Sequence, residues 1–339
     1  MASCGIYTLA NDVVFDQLVA FLNSVEVNVS PDIPICIIPY DDRMEQVKKE
    51  IGDRPNVSIY EDQQEIQRWQ DFAKEVWINH PLAFQKSNAR LIESRMRFQR
   101  KMAAFQGDFD KFVFYDADTL AMKPVDDIFL KLDTYDLVFD DWEHAKTRLT
   151  ALDIPRIEAT GEFTESQIRP KLHCSSFFAS KKGLFSTEKV NQLKNRLIED
   201  REIEWINGIS DAFLFSYLTL RNHSIFNYTL SPNGEYRTGN CADADPFVNK
   251  DNVLYNEQGL KPIHRIHYMN FSSADFARVS RGEDVNIPHR DVFLHYRFLK
   301  QPNAKPSNFA EPDLLTKIGR FKDKAIKKIQ RTITYLVNC

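Results

Sequence analysis

The chain is short of several things at once. No window of its 339 residues holds eighteen consecutive apolar side chains, so nothing in it reads as a membrane span. It lacks an excess of positive charge; the formal net charge is −4, which argues against general nucleic-acid binding. It lacks paired cysteines: Cys4, Cys36, Cys174, Cys241 and Cys339 are scattered and odd in number, with no metal-finger spacing. They read as reduced thiols in a cytoplasmic setting. Glycine is sparse, at 11 residues, and no internal repeat or low-complexity stretch occurs. The first residues lead straight into an apolar run with no targeting pattern, so the five Asn-x-Ser/Thr triplets are read as chance.

What is present is the composition of a globular enzyme, 43% hydrophobic and 27% charged. At this length a chain buries roughly three quarters of its unfolded surface, enough for a large core and a cleft. Apolar runs at 5–10, 35–40, 57–60, 112–115, 135–139 and 177–179 read as strands. Between them lie helical patterns, including Val14, Leu18, Phe21, Leu22 and Val25, then 62–80, a basic segment at 88–106, and 184–200. Strands alternating with helices imply a mixed, mostly parallel α/β sheet flanked by helices. Residues 143–170 lack periodicity, 231–262 read as loop, and Ile263–Tyr268 reads as closing the core.

The most telling run is Phe112-Val113-Phe114-Tyr115-Asp116-Ala117-Asp118-Thr119-Leu120. Four large apolar residues lead into two carboxylates at i, i+2, which point the same way on an extended chain. Like charges that close repel, unless a divalent cation lies between them and a polyanion. Asp116 and Asp118 are therefore expected to hold a metal opposite a nucleotide diphosphate. The triplet Asp243-Ala244-Asp245 is an internal control: no strand leads into it, and it reads as loop.

With these pieces in order, the chain resembles the GT-A type glycosyltransferases, and most nearly the retaining family of glycogenin and bacterial galactosyltransferases. The segments that carry the resemblance are Tyr7–Asp12, Arg97–Lys101, Phe112–Leu120 followed by Pro124–Phe129, Asp211–Phe215 and His267-Tyr268. It implies a Rossmann-like GT-A domain over 1–300 that transfers a hexose from a UDP-sugar using Mn²⁺ or Mg²⁺. It implies that Thr8, Ala10 and Asn11 contact the nucleotide, with Ala117 and Asp116 beside it. A basic residue among Arg97, Arg100 and Lys101 would reach the donor, with Lys101 or Arg100 assisting the leaving group. His267 would be a third metal ligand, with His264 the competing candidate, and Asp211 a sugar-side or acid/base residue. The chain departs from the family pattern at Cys174-Ser175-Ser176, at the residue after Asp211, and at the lysine expected beyond His267, for which Arg278 is the substitute considered. Trp142 and His144 could stack on a sugar or simply pack.

Residues 312–339 stand apart. They carry seven Lys/Arg against two Asp, a net +5, so the remainder carries −9. Leu314, Ile318, Phe321, Ala325, Ile329, Ile333 and Leu336 fall on one helical stripe. A basic amphipathic helix of this kind suits an anionic membrane surface, or docking on the catalytic domain or on another subunit. The acceptor would then be a glycan, lipid-linked or of the envelope, and the protein peripheral on the inner face of the plasma membrane. Two rivals remain: a haloacid-dehalogenase-like phosphatase, which also uses strand–Asp-x-Asp, and a degenerate, non-catalytic transferase fold acting as a scaffold.

Overall fold

The computed structural model describes residues 2–85, 89–221, 223–230, 239–243, 247–256 and 261–311; the helix expected at 312–339 lies outside them. Among the described residues twelve strands form. They are β1 (Cys4–Ala10), β2 (Ile35–Pro39), β3 (Val57–Ile59), β4 (Lys111–Asp116), β5 (Thr119–Ala121) and β6 (Leu137–Phe139), followed by β7 (Phe177–Lys181), β8 (Ile225–Asn227), β9 (Gly239–Cys241), β10 (Val248–Lys250), β11 (Val253–Tyr255) and β12 (Arg265–His267).

Seven strands make the main sheet, in the order β3-β2-β1-β4-β7-β6-β8. Strands β3, β2, β1 and β4 run parallel, and β6 and β8 run parallel to each other. Only β7 is reversed, pairing antiparallel with β4 and β6. The sheet is thus mixed, mostly parallel and flanked by helices, as the alternating pattern predicts. Strand β12 does not join it. It forms a second sheet with β5 and β9, while β10 and β11 make a separate hairpin. The region 231–262, read as loop, therefore contributes three short strands. They are only three residues each, too short to show a period.

Alternation along the strands builds a core on each face. Tyr7, Leu9, Phe112, Phe114 and Phe178 face a cluster with Trp69, Trp77, Phe105, Phe185 and Phe215. Ile6, Ala10, Val113, Tyr115 and Phe177 face the other, packed with Leu18 and Phe21. Phe21 belongs to the helix Phe15–Asn28, every residue of which from Gln17 to Val25 is buried. That helix is covered in turn by Arg290–Arg297: the Asn23 side-chain amide donates to the Tyr296 carbonyl (2.7 Å), and Arg297 pairs with Asp16 (2.6 Å). A third cluster, including Leu120, Ile266, Tyr268, Phe276 and Phe293, joins the small sheet to the terminal helices. The chain continues past residue 300 to a bridge between Glu283 and Ala310.

One expected helix changes character. The basic segment is α-helical over Ala89–Phe98 and then tightens into an eight-residue 3-10 run, Gln99–Gln106. Such runs are rarely this long. Here Lys101 through Phe105 are all buried against the sheet. No helix among the described residues is long and apolar enough to cross a membrane, and the described cysteines form no disulfide.

Candidate metal and donor site

Asp116 is the last residue of β4, on the face shared by Phe112 and Phe114. The strand does not carry on to Asp118. A two-residue turn intervenes before β5, closed by the Thr119 hydroxyl donating to the Asp116 carbonyl (2.7 Å). The carboxylates converge because of this turn, not by strand alternation. The Asp116 N–H donates to the Ser176 carbonyl (2.9 Å), which pins the turn to the residues just ahead of β7.

The third partner arrives from the second sheet. His267 pairs across from Thr119, and the Tyr268 N–H donates to the Asp118 carbonyl (3.0 Å). His267 Nε2 lies 3.3 Å from Asp118 Oδ1. Asp116, Asp118 and His267 each offer one ligand atom, and all three lie within 4.8 Å of one another. Two carboxylate oxygens and an imidazole nitrogen form a donor set that fits Mn²⁺, and Mg²⁺ less selectively. His264, the competing candidate, is engaged elsewhere: its Nδ1 is 2.8 Å from Asp140 Oδ2 and its Nε2 3.7 Å from Asp127.

Behind Asp116 sits Lys101, 1% exposed. Its Nζ is 3.0 Å from Asp116 Oδ1 and 3.2 Å from Asp211 Oδ2, and it donates to the Ser175 carbonyl and hydroxyl at 3.3 and 3.2 Å. The 3-10 run brings it there, with its ammonium 5.2 Å from the Phe114 ring centre. Asp211 opens the helix Asp211–Leu220 and is itself buried. It accepts from the Ser175 hydroxyl (2.8 Å) and pairs with Arg95 (2.9 Å).

The charges settle accordingly. Burial drives Asp116 upward, only partly opposed by Lys101. Burial would also raise Asp118, but His267 outweighs it and holds the carboxyl below its usual range. Burial by itself would lower His267; Asp118, helped by Cys241, wins and pushes the imidazole up to about 9. Asp211 is likewise pulled below the carboxylate range, since Lys101 and Arg95 overcome its burial. The triad therefore carries a proton that any cation binding there would have to displace.

Of the other anticipated residues, Thr8 is fully buried in β1 with its hydroxyl unpartnered, and Ala10 ends that strand. Asn11 caps the turn at Asp12–Val14, accepting from the Val13 N–H (3.0 Å). Its side chain also bonds Asp41, whose carboxyl lies at about 2: burial raises it, but Arg43 and Asn11 dominate. Ala117 is buried in the turn between the two carboxylates. Arg97 pairs with Glu93 (2.9 Å) and stands 3.6 Å from Asp41; Arg100 bonds Gln70 and the Pro39 carbonyl. Of the basic trio, Lys101 alone meets the triad. Arg278 spends its donors on Asp275 and Glu283. Trp142 and His144 stack on each other, with ring centres 6.0 Å apart. Asp243 accepts from Asn270 (2.8 Å), and the rest of that triplet lies outside the described residues.

Ser175 and Arg95 were missed from the sequence. Ser175 sits in a segment noted only for its departure from the family pattern. Arg95 is one more cation on a charge-rich helix.

No protein-family model matches the chain, and no curated protein does. Several solved structures overlap it. LgtC, a galactosyltransferase solved with donor and acceptor sugar analogues, gives a TM-score of 0.46 at 13% identity over 85% of this chain and 99% of its own. Apo mouse xyloside xylosyltransferase 1 gives 0.43 at 6% over 64% and 82%. Core-mannan synthase A of Aspergillus fumigatus, in its Mn/GDP form, gives 0.37 at 10% over 64% and 69%. These overlaps are loose, and the chemistry of the site has to be read from its own residues.

Proposed function

We propose that this chain is a metal-dependent glycosyltransferase of GT-A type, moving a sugar from a nucleotide-sugar donor to an acceptor hydroxyl. The observation that carries the reading is the Asp116–Asp118–His267 triad at the carboxyl end of a parallel strand, backed by the buried Lys101. In sheets of this kind ligands bind at those strand ends. A phosphatase reading is not favoured, because it leaves the imidazole of the triad without a task.

In the proposed reaction, the bond from the anomeric carbon to the diphosphate oxygen breaks and one to the acceptor oxygen forms. The acceptor proton leaves with the diphosphate. A divalent cation bound by the triad would neutralise charge building on that diphosphate. Lys101, held within reach of Asp116, adds a fixed positive charge on the same side. Asp211, kept ionised by its partners, contributes electrostatically on the sugar side.

The finer assignments are part of the same proposal: Mn²⁺, a UDP-hexose, contacts from Thr8, Ala10, Asn11, Arg97, Arg100 and Ala117 to the donor, and retention of configuration. An acceptor that is lipid-linked or of the envelope, and contact with an anionic membrane through 312–339, rest on the basic stripe in that segment, and a cytoplasmic setting rests on the scattered, odd-numbered cysteines.

The test is thermal stability with UDP, GDP, CDP and ADP, each with and without Mn²⁺, on the wild type and Asp118→Ala. One diphosphate should stabilise the wild type only with metal, and not the variant. No shift with any pair would overturn the transferase reading in favour of a scaffold.

A further inference from the structure

Lys101 faces an awkward charge balance. Its single positive charge lies between two carboxylates, Asp116 at 3.0 Å and Asp211 at 3.2 Å. Taken alone, that group carries −1, before Asp118 is counted. A departing diphosphate would meet a lysine already outnumbered. Arg95 changes the sum. Its Nη1 is 2.9 Å from Asp211 Oδ1, the oxygen that Lys101 and Ser175 leave open. With Arg95 included, the group is neutral.

Arg95 is unlike its neighbours on the same segment. Arg97 is tied to Glu93 and Asp41, and Arg100 to Gln70 and the Pro39 carbonyl. Arg95 turns inward to a carboxylate 116 residues away, its guanidinium 5.3 Å from the Phe98 ring centre. Its Nε is buried without a partner, although its side chain remains 32% exposed. A partly exposed guanidinium with one arm on Asp211 is placed to act through that carboxylate.

We propose that Arg95 is a positioning residue: it takes up the charge of Asp211, so that Lys101 remains directed at Asp116 and the leaving diphosphate. The proposal rests on the glycosyl-transfer reading above. It assigns the effect to charge, whereas a purely structural tether between the helices Ala89–Phe98 and Asp211–Leu220 would need only a hydrogen bond.

The experiment compares wild type, Arg95→Gln and Arg95→Lys. Mn²⁺ binding and then UDP and GDP binding in Mn²⁺ are measured by calorimetry, followed by kcat and KM for hydrolysis of the matching nucleotide sugar. Gln keeps a hydrogen-bond donor and loses the charge; Lys keeps the charge. The expected result for Arg95→Gln is Mn²⁺ affinity at or above wild type, diphosphate affinity about tenfold weaker, and kcat about tenfold lower. Arg95→Lys should return both to within about threefold. Equal behaviour of Gln and Lys, or a folded Arg95→Gln with wild-type diphosphate affinity and kcat, overturns the proposal even if its melting temperature falls. A wild type that binds neither diphosphate with Mn²⁺ overturns the transfer reading itself, and so is told apart from a failure of Arg95 alone.

Discussion

Two histidines three residues apart, His264 and His267, use the same chemistry to opposite ends. His264 lies between two carboxylates on either side of its ring, Asp140 at 2.8 Å and Asp127 at 3.7 Å, and Asp127 also accepts from Tyr228 and Lys123. The cluster ties β6, the β12 approach and the helix Asp126–Lys131 together. His267 has one carboxylate at its Nε2 and a second, Asp116, close by but turned to Lys101. One histidine is enclosed by its partners; the other shares with two carboxylates a space that a cation fits. A buried imidazole beside aspartate is therefore not in itself a sign of function; what separates the two is where the carboxylates point.

Breaking the comparison from the open side should have the largest effect. Asp118→Ala or His267→Ala should weaken Mn²⁺ binding by roughly a hundredfold or more, and remove metal-dependent diphosphate binding with it. Calorimetry reads this directly, and wild-type affinity in either variant would refute the triad. From the closed side, His264→Ala leaves the buried Asp140 without its imidazole. Denaturant unfolding should register a loss of about 2–3 kcal/mol, while Mn²⁺ affinity of the folded variant stays within about threefold. A large loss of metal affinity there would erase the distinction between the two histidines.

Acidity sharpens the contrast. The His267 pKa is raised above its unfolded value to about 9 in the metal-free protein. Its ion pair with Asp118 thus contributes stability that is fully present below about pH 6.5 and lost as pH rises through about 9. Metal has to displace that proton, so Mn²⁺ affinity should climb by up to tenfold per pH unit toward pH 9 and then level off. A flat profile between pH 6 and 8 would contradict it. The smallest effect concerns Asp141, at the end of β6, whose carboxyl burial pushes up to about 6. A carboxyl raised in the folded state costs stability once it ionises. Asp141→Asn should therefore be more stable than wild type at pH 8, on the order of 1–2 kcal/mol, with the gain vanishing near pH 4.

Much of this architecture was legible in the sequence because burial wrote it in composition. The run Phe112–Tyr115 has no polar residue to place outward, and only a strand covered on both faces tolerates that. The helix Phe15–Asn28 and the strands β1, β2 and β3 fell where their apolar periods put them. Asp116 and Asp118 were readable as a candidate metal-binding pair because carboxylates after such a run need a reason to converge, and His267 only through the family resemblance; the fold brings one ligand atom of each within 4.8 Å of the others. What was not legible depended on contacts distant in the chain. The 3-10 turn that buries Lys101 looks, residue by residue, like more helix. Ser175 gains its place only through Asp211 and Lys101, and Arg95 only through Asp211. The second sheet escaped because β5, β9 and β12 have three residues each.

The reversed direction of β7 has an effect on how the chain is threaded. A parallel strand in that slot would begin at the far edge of the sheet, and the residues before it would be remote from Asp116. Because β7 enters where β4 exits, Ser175 and Ser176 are delivered beside Asp116 by the approach to the strand itself. Residues on the approach and residues on the departure thus have unequal freedom to vary in length. One residue added between Leu172 and Ser176 displaces groups that touch Lys101 and Asp211, whereas one added at Lys182–Gly183 alters a turn at the opposite rim. Tolerance to insertion should therefore differ sharply between the two ends of a single five-residue strand.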